Sequence, residues 1–287
     1  MDDKGSRYID SLLPPEMALR AEEIGARKAA MALSPLFALS VLAGAFIAFG
    51  AVLSTTVAAG AEGFMSYGAA RLISGFVFSL GLVLVVIGGA ELFTGNNLIV
   101  MAWANGMVTT RRVLRNWAIV YVGNLVGAFG TAVLVFISGQ YTFGRGSVGA
   151  AALSIANAKT GIGFTEAVAL GILCNVLVCL AVWMSYSGRT TADKVLAVVP
   201  PVTAFVACGF EHSIANMYFI PIALLIKWAA PESFWMQTEL SAANFGQLDL
   251  YGFFIGNLLP VTIGNIIGGA VLVGIVYWFV YLKGRAK

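Results

Sequence analysis

Two apolar segments of this chain carry the same polar word, Gly89-x-Glu91-x4-Asn96 and Gly209-x-Glu211-x4-Asn216. A second echo follows in each half, Gly123-Asn124-x-x-Gly127 and Gly264-Asn265-x-x-Gly268. A carboxylate inside a hydrophobic span is costly and usually has a task. Polar breaks at corresponding positions of two halves point to a substrate path built from discontinuous helices. His212, the only histidine, follows Glu211, with Asn216 one turn on. An imidazole changes charge near neutral pH, which suits a proton donor or a gate; the plain alternative is a satisfied core histidine. Glu91 and Glu211 could carry protons, or could brace the turns by accepting hydrogen bonds from backbone N–H groups freed at half-helix starts. Bracing is preferred, because two carboxylates lining an anion path would repel its substrate. The Thr94 hydroxyl and the Asn175 and Asn265 amides can coordinate a small oxyanion without fixing a charge. Asn124 reads as glue between helices, and Gly127, Gly268 and Gly269 as sites of close helix packing.

These groups need a membrane to position them. Of 287 residues, 59% are hydrophobic and 11% charged, so the bilayer must be the solvent. Six apolar regions are expected, over about 34–58, 72–104, 116–138, 163–186, 195–226 and 252–282. The second and fifth exceed the ~20 residues of a simple crossing, and each holds a polar break. Each therefore reads as two half-helices joined by irregular backbone, tolerated only where protein or a water-lined cavity satisfies it. The expected fold is all-α and polytopic, with six spans in an aquaporin-like inverted repeat. Its expected parts are a cytosolic helix (1–30), a first three-span repeat (31–138), an external loop (139–162) and a second, inverted repeat (163–287). With both termini inside, thirteen Lys and Arg fall on the cytoplasmic side against four outside (Arg71, Arg145, Lys159 and Lys227), a strong positive-inside bias. The first 30 residues lack the apolar core and small-residue cleavage site of a signal peptide. Asp10 or Ser11 could cap the helix there, with Pro14 and Pro15 in its first turn.

Several other functions lack the necessary parts. Gly144-Arg145-Gly146-Ser147-Val148-Gly149 matches a dinucleotide fingerprint by letter, but no soluble βαβ context surrounds it. Cys174, Cys179 and Cys208 lie in apolar runs without a CxxC pair, so neither a disulfide framework nor a metal site is expected. One histidine and no acidic cluster leave too few groups for an enzyme, and no exposed basic domain offers itself to nucleic acid. No cofactor is expected. A neutral-solute channel shares the repeat logic, but it leaves two buried carboxylates unexplained, and the chain has no Asn-Pro-Ala triplet.

Longer words narrow the choice. Glu91-Leu92-Phe93-Thr94-Gly95, the run from Cys174-Asn175 to Trp183-Met184, Gly209-Phe210-Glu211-His212-Ser213-Ile214-Ala215-Asn216-Met217 and Pro260-Val261-Thr262-Ile263-Gly264-Asn265 resemble the formate/nitrite transporter family. The resemblance covers essentially the whole chain, beginning with Asp10-Ser11-Leu12-Leu13-Pro14-Pro15. The N-terminal word, Trp183-Met184-Ser185-Tyr186-Ser187-Gly188-Arg189 and the final span are most similar to the formate-channel branch, while Phe93-Thr94-Gly95 and Ala158-Lys159-Thr160 lean toward the nitrite branch. It implies a homopentamer in the inner (plasma) membrane, each protomer with its own pore. It also implies that Thr94 and His212 face each other across that pore, between apolar constrictions at Phe78, Leu82, Leu92 and Phe205, with Lys159 drawing anions to the outer vestibule.

Apolar constrictions make charge the central problem. Stripping a monovalent ion of water for a low-dielectric slot has an idealised cost on the order of 20 kcal/mol, and protonating a weak acid removes most of it. The expected mechanism is therefore entry of formate, or nitrite, as an anion, protonation from the His212 region directly or through Thr94 and water, and passage as the neutral acid. A non-coupled anion channel is the alternative.

Overall fold

The computed structural model describes residues 11–284 apart from residue 62. Among these, regular structure is helical throughout. Helix α1 (Pro14–Ala30) opens with both prolines in the turn where no N–H is needed, and the Glu16 carboxylate accepts the Leu13 N–H at 2.9 Å. Arg27 and Lys28 sit in its last turn, where the helix dipole favours cations. Leu13 holds the cap position, so Ser11 does not cap this helix; Asp10 lies outside the described residues.

Helix α2 (Leu33–Ala58) crosses to the far side of the bundle and α3 (Tyr67–Gly88) returns. The second span then breaks at Gly89, in the left-handed region at φ 74°, and resumes through a 3-10 turn (Gly95–Ile99) into α4 (Val100–Ala104). Helix α5 (Thr110–Ile137) completes the first half. The segment expected as an external loop carries α6 (Ser147–Thr160). Gly144 and Gly146, at φ 61° and 82°, turn the chain into it from a 3-10 turn and not from a strand. Helix α7 (Phe164–Ser185) corresponds to α2. The fifth span is α8 (Thr191–Ala207) and α9 (Ser213–Ala229), 17 residues each, broken at Gly209 with φ 75°. A short α10 (Glu232–Thr238) bends 109° from α9. The last span, α11 (Gly252–Tyr281), contains two π-wound stretches. Helices α2, α3, α5, α7 and α11 are each long and apolar enough to cross a membrane, and a sixth candidate is α9 taken with the bent α10; α8 leads into α9 across the Gly209 break.

In each half, the first helix packs on the third, α2 on α5 and α7 on α11, while α3 and α8 pack together across the halves. The echoed glycines explain how closely. A Cβ on Gly127 would lie 1.9 Å from the Val41 carbonyl oxygen, and one on Gly268 would lie 2.2 Å from that of Ile172. Only a glycine lets the backbones meet there, so these faces are occupied by a helix of the same chain. The apolar runs around the three cysteines suggest burial, and Cys174 and Cys179 are buried, whereas Cys208, at the end of α8, is exposed.

Candidate functional site: two braced breaks meeting at a histidine

The two breaks are held by matching polar clusters. In the first, the Lys28 ammonium lies 3.1 Å from Glu91 Oε1 and donates to Asn96 Oδ1 at 2.8 Å. Asn96 Nδ2 donates to Glu91 Oε2 at 2.7 Å and to Asn116 Oδ1 at 3.0 Å, and Asn116 Nδ2 returns to the Lys28 carbonyl at 3.1 Å. In the second, Lys159 donates to Glu211 Oε1 at 2.7 Å, and Asn216 Nδ2 reaches Glu211 Oε2 at 2.6 Å and Asn257 Oδ1 at 2.7 Å. Asn257 Nδ2 closes that ring on the Lys159 carbonyl at 3.0 Å. Helices α1 and α6 thus hold equivalent places, each bringing a lysine from its last turn onto the glutamate of the following break.

A second pair of amides fastens the backbone. Asn124 Oδ1 accepts the Phe93 N–H at 2.9 Å while its Nδ2 donates to the Ser40 and Glu91 carbonyls at 2.7 and 3.0 Å. Asn265 repeats this, accepting the Ser213 N–H at 3.0 Å and donating to the Gly171 and Glu211 carbonyls at 2.8 and 3.0 Å. So the freed backbone groups are met by asparagines, and the glutamates are met by lysine and asparagine side chains rather than by backbone N–H. The difference from the expected bracing is physical: a carboxylate buried this deeply needs a countercharge, which backbone N–H groups cannot supply.

Thr94 and His212 stand where the breaks meet. Thr94 Oγ1 is 3.0 Å from His212 Nε2, and both residues are buried. His212 Nδ1 accepts the Ala215 N–H at 3.1 Å, so the ring is the N-cap of α9. A nitrogen that accepts carries no proton, so the network assigns the ring proton to Nε2, which donates to Thr94. That leaves the Thr94 hydroxyl hydrogen free to donate. The Thr94 carbonyl accepts from Asn175 Nδ2 and from Cys179 Sγ, each at 3.3 Å. Asn175 also donates to the Asn265 carbonyl at 2.7 Å, so it ties the first break to the last span.

Apolar side chains bound this contact on both sides. Toward α1, Leu82 and Leu92 line a cavity of about 170 Å³ together with Ile24, Lys28 and Gly89. Toward α6, Phe78 meets Phe205 edge-on at 5.8 Å between ring centroids, and Phe205 stacks on the His212 ring at the same separation. Phe78 also stacks on Phe219 at 6.3 Å, and the Lys159 ammonium lies 5.4 Å from the Phe219 centroid. Phe78, Leu82, Leu92 and Phe205 are all at most 3% exposed.

The sequence reading missed Lys28, Asn116 and Asn257. Their signal was present: Asn116 precedes Asn124 by the same eight residues that separate Asn257 from Asn265. Likewise Lys28 and Lys159 each stand five residues ahead of the next long helix.

An inverted-repeat bundle with two broken spans meeting at a buried Thr–His contact between apolar walls defines a membrane channel for small solutes. The comparisons with known proteins make this specific. The description "formate/nitrite transporter" matches residues 15–279, and the chain belongs to that family. It is 48% identical over 280 residues to the formate channel FocA of Escherichia coli (strain K12), covering 98% of both chains. Among solved structures it resembles a pentameric formate channel with formate bound, at 45% identity and a TM-score of 0.83, covering 88% of this chain and 98% of that one. An FNT family ion channel, 30% identical, is matched at a TM-score of 0.75 with 92% and 98% coverage. The chain is accordingly a multi-pass membrane protein with the architecture of a channel, not an enzyme.

Proposed function

We propose that this chain passes small monovalent anions of weak acids, formate foremost and nitrite second, through a pore in each protomer of a homopentamer. The identity to proteins named formate channels and the pentameric neighbour support substrate and assembly. The positive-inside bias supports a plasma-membrane orientation with the α1 mouth cytoplasmic and the α6 mouth external. The observation that carries the mechanism is the Thr94–His212 contact enclosed by apolar walls.

In this reading the anion enters at a mouth, meets the low-dielectric constriction and takes a proton from the Thr94 hydroxyl, which is replenished from His212 Nε2. Neutral imidazole has no spare proton. It must first be protonated at Nδ1, which displaces the Ala215 N–H and uncaps α9 at a cost of about 0.5–2 kcal/mol. Proton uptake is thereby tied to a local opening of the second break. The loss of the Nε2 proton to the acid leaves a neutral ring protonated at Nδ1, and the cap re-forms as the proton returns to Nε2 through exchange with water. A second reading rests on the same hydrogen bond: with Nδ1 held as an acceptor, the ring stays neutral, Thr94 donates to a passing anion, and no proton is transferred.

His212→Asn separates the two, since asparagine preserves the N-cap but holds no titratable proton. In proteoliposomes, proton-coupled formate uptake should be abolished while pH-independent anion leak persists. Thr94→Ala should reproduce the defect, with the double variant little worse than either alone. Coupled uptake retained by His212→Asn at the wild-type pH dependence overturns the proton-relay reading, and flux that never acidifies the destination compartment favours the non-coupled channel.

A further inference from the structure

The far mouth carries a cation that the paired polar clusters do not account for. Arg71 lies in the second turn of α3, and its guanidinium reaches across to the end of α8 at the second break. Arg71 Nε donates to the Ala207 carbonyl at 3.4 Å, and Nη2 donates to that of Val206. A Cβ on Gly209, the turning point of the break, would sit 3.6 Å from the same Nη2. Along α3, Arg71, Phe78 and Leu82 are spaced by seven and four residues, so they share one helix face. Phe78 and Leu82 belong to the apolar walls on that face. At 1.5 Å per residue, Arg71 stands about 10 Å outward of Phe78.

Charge distinguishes Arg71 from Lys159. Lys159 is matched by Glu211 at 2.7 Å, so at long range that pair contributes little net field. Among the described residues Arg71 has no carboxylate within salt-bridge distance. Its partners are carbonyls at the end of α8, where the helix dipole turns its negative end toward the path of an incoming anion. At the near mouth the equivalent end of α3 turns at Gly89 as α8 does at Gly209, but the residue of α8 that corresponds to Arg71 is the uncharged Thr191. The asymmetry falls on the side of the Phe78–Phe205 constriction.

We propose that Arg71 is the anion-capturing residue of the far mouth: it cancels the repulsive end of α8 and supplies a positive charge, paired with no described carboxylate, that concentrates a small carboxylate outside Phe78. This rests on the anion-passage reading and not on proton transfer at His212. A unit charge about 10 Å from the constriction, in a mouth of intermediate dielectric, should change the local anion concentration roughly three- to tenfold.

The test is initial formate and nitrite uptake into proteoliposomes through the far mouth, over a range of concentration and salt, for the wild type, Arg71→Gln and Arg71→Lys. Glutamine keeps an N–H donor for the α8 carbonyls while removing the charge. Arg71→Gln should raise KM roughly three- to tenfold in low salt with maximal flux retained, and the difference should shrink by about 1 M salt, where the screening length is about 3 Å. Arg71→Lys should stay near wild type, and entry through the near mouth should change least. An unchanged low-salt KM, or a loss of maximal flux with no change in salt dependence, overturns the proposal and makes Arg71 a helix cap only. Absence of flux of either anion in the wild type overturns the passage reading and this proposal with it, whereas wild-type flux indifferent to Arg71→Gln removes this proposal alone.

Discussion

Replacing Lys159 alone should be far more damaging than replacing Lys159 and Glu211 together. The ion pair is 2.7 Å long, with side-chain exposures of 16% for Lys159 and 4% for Glu211. Lys159→Ala leaves the Glu211 carboxylate with the Asn216 and Asn257 amides, at 2.6 and 3.3 Å, and no countercharge. Breaking a buried pair by removing one partner costs about 3–5 kcal/mol. The partial exposure of Lys159 and the two remaining amide bonds place this case at the lower end, near 3 kcal/mol, or more than a hundredfold in a folding equilibrium. By the scaling for domains of this size, that corresponds to a fall of roughly 5–10 °C in melting temperature. Lys159→Gln with Glu211→Gln replaces the charged contact by an amide–amide hydrogen bond and leaves no charge stranded, so most of the loss should be recovered. The assay is thermal unfolding of the detergent-solubilised oligomer, followed in parallel with formate uptake. If the single variant melts with the wild type, or the double variant melts no higher than the single, the bracing argument is refuted. Transport then decides what else the lysine does: a double variant that regains stability but still fails at low anion concentration assigns Lys159 a share in attracting the substrate, and one that regains both leaves it as a brace.

Two further outcomes follow from packing and charge. Gly127→Ala should abolish stable assembly, because its Cβ would fall 1.9 Å from the Val41 backbone oxygen, whereas Gly130→Ala one turn away meets nothing within 4 Å and should be neutral in the same melting assay. Reporter fusions after Arg115 and after Lys283 should be cytoplasmic and a fusion at Lys159 external; an external signal after Lys283 would invert the proposed orientation.

Much of the fold was legible because a membrane leaves few choices. Apolar runs of crossing length, two of them overlong and broken by the same word, already require six spans and an inverted repeat. The fifth span was read correctly as broken although neither α8 nor α9 reaches crossing length by itself. What the sequence concealed was partnership. Lys28 looked like one more cytoplasmic cation in a charge tally, because nothing local reveals that α1 returns it to Glu91. Asn265 looked like a pathway amide, yet its three bonds go to backbone, as those of Asn124 do. Both are contacts between segments distant in sequence, and only comparison of the two halves residue by residue would have exposed them. Arg71 entered only the charge tally for the opposite reason: it has no counterpart in the other half, so a search for echoes passes over it.

That contrast separates two tasks within one architecture. The braces repeat, since each break presents the same problem of irregular backbone and a buried carboxylate at membrane depth, and the same solution serves both. The groups along the path do not repeat. Thr94 faces His212, Phe205 stands where the other half has Val85, and Arg71 where it has Thr191. A path lined identically from both ends would offer the same field and the same barrier in each direction. Both mouths hold a lysine, but the far mouth adds the Arg71 cation and an aromatic constriction stacked on the histidine, whereas the near mouth opens on the cavity beside Leu82, Leu92 and Lys28. Entry from the two sides should therefore differ in its dependence on salt and concentration even where the proton step between them is shared. The symmetric scaffold fixes the breaks in place, and under the proposed passage the unsymmetric residues between them decide what each mouth admits.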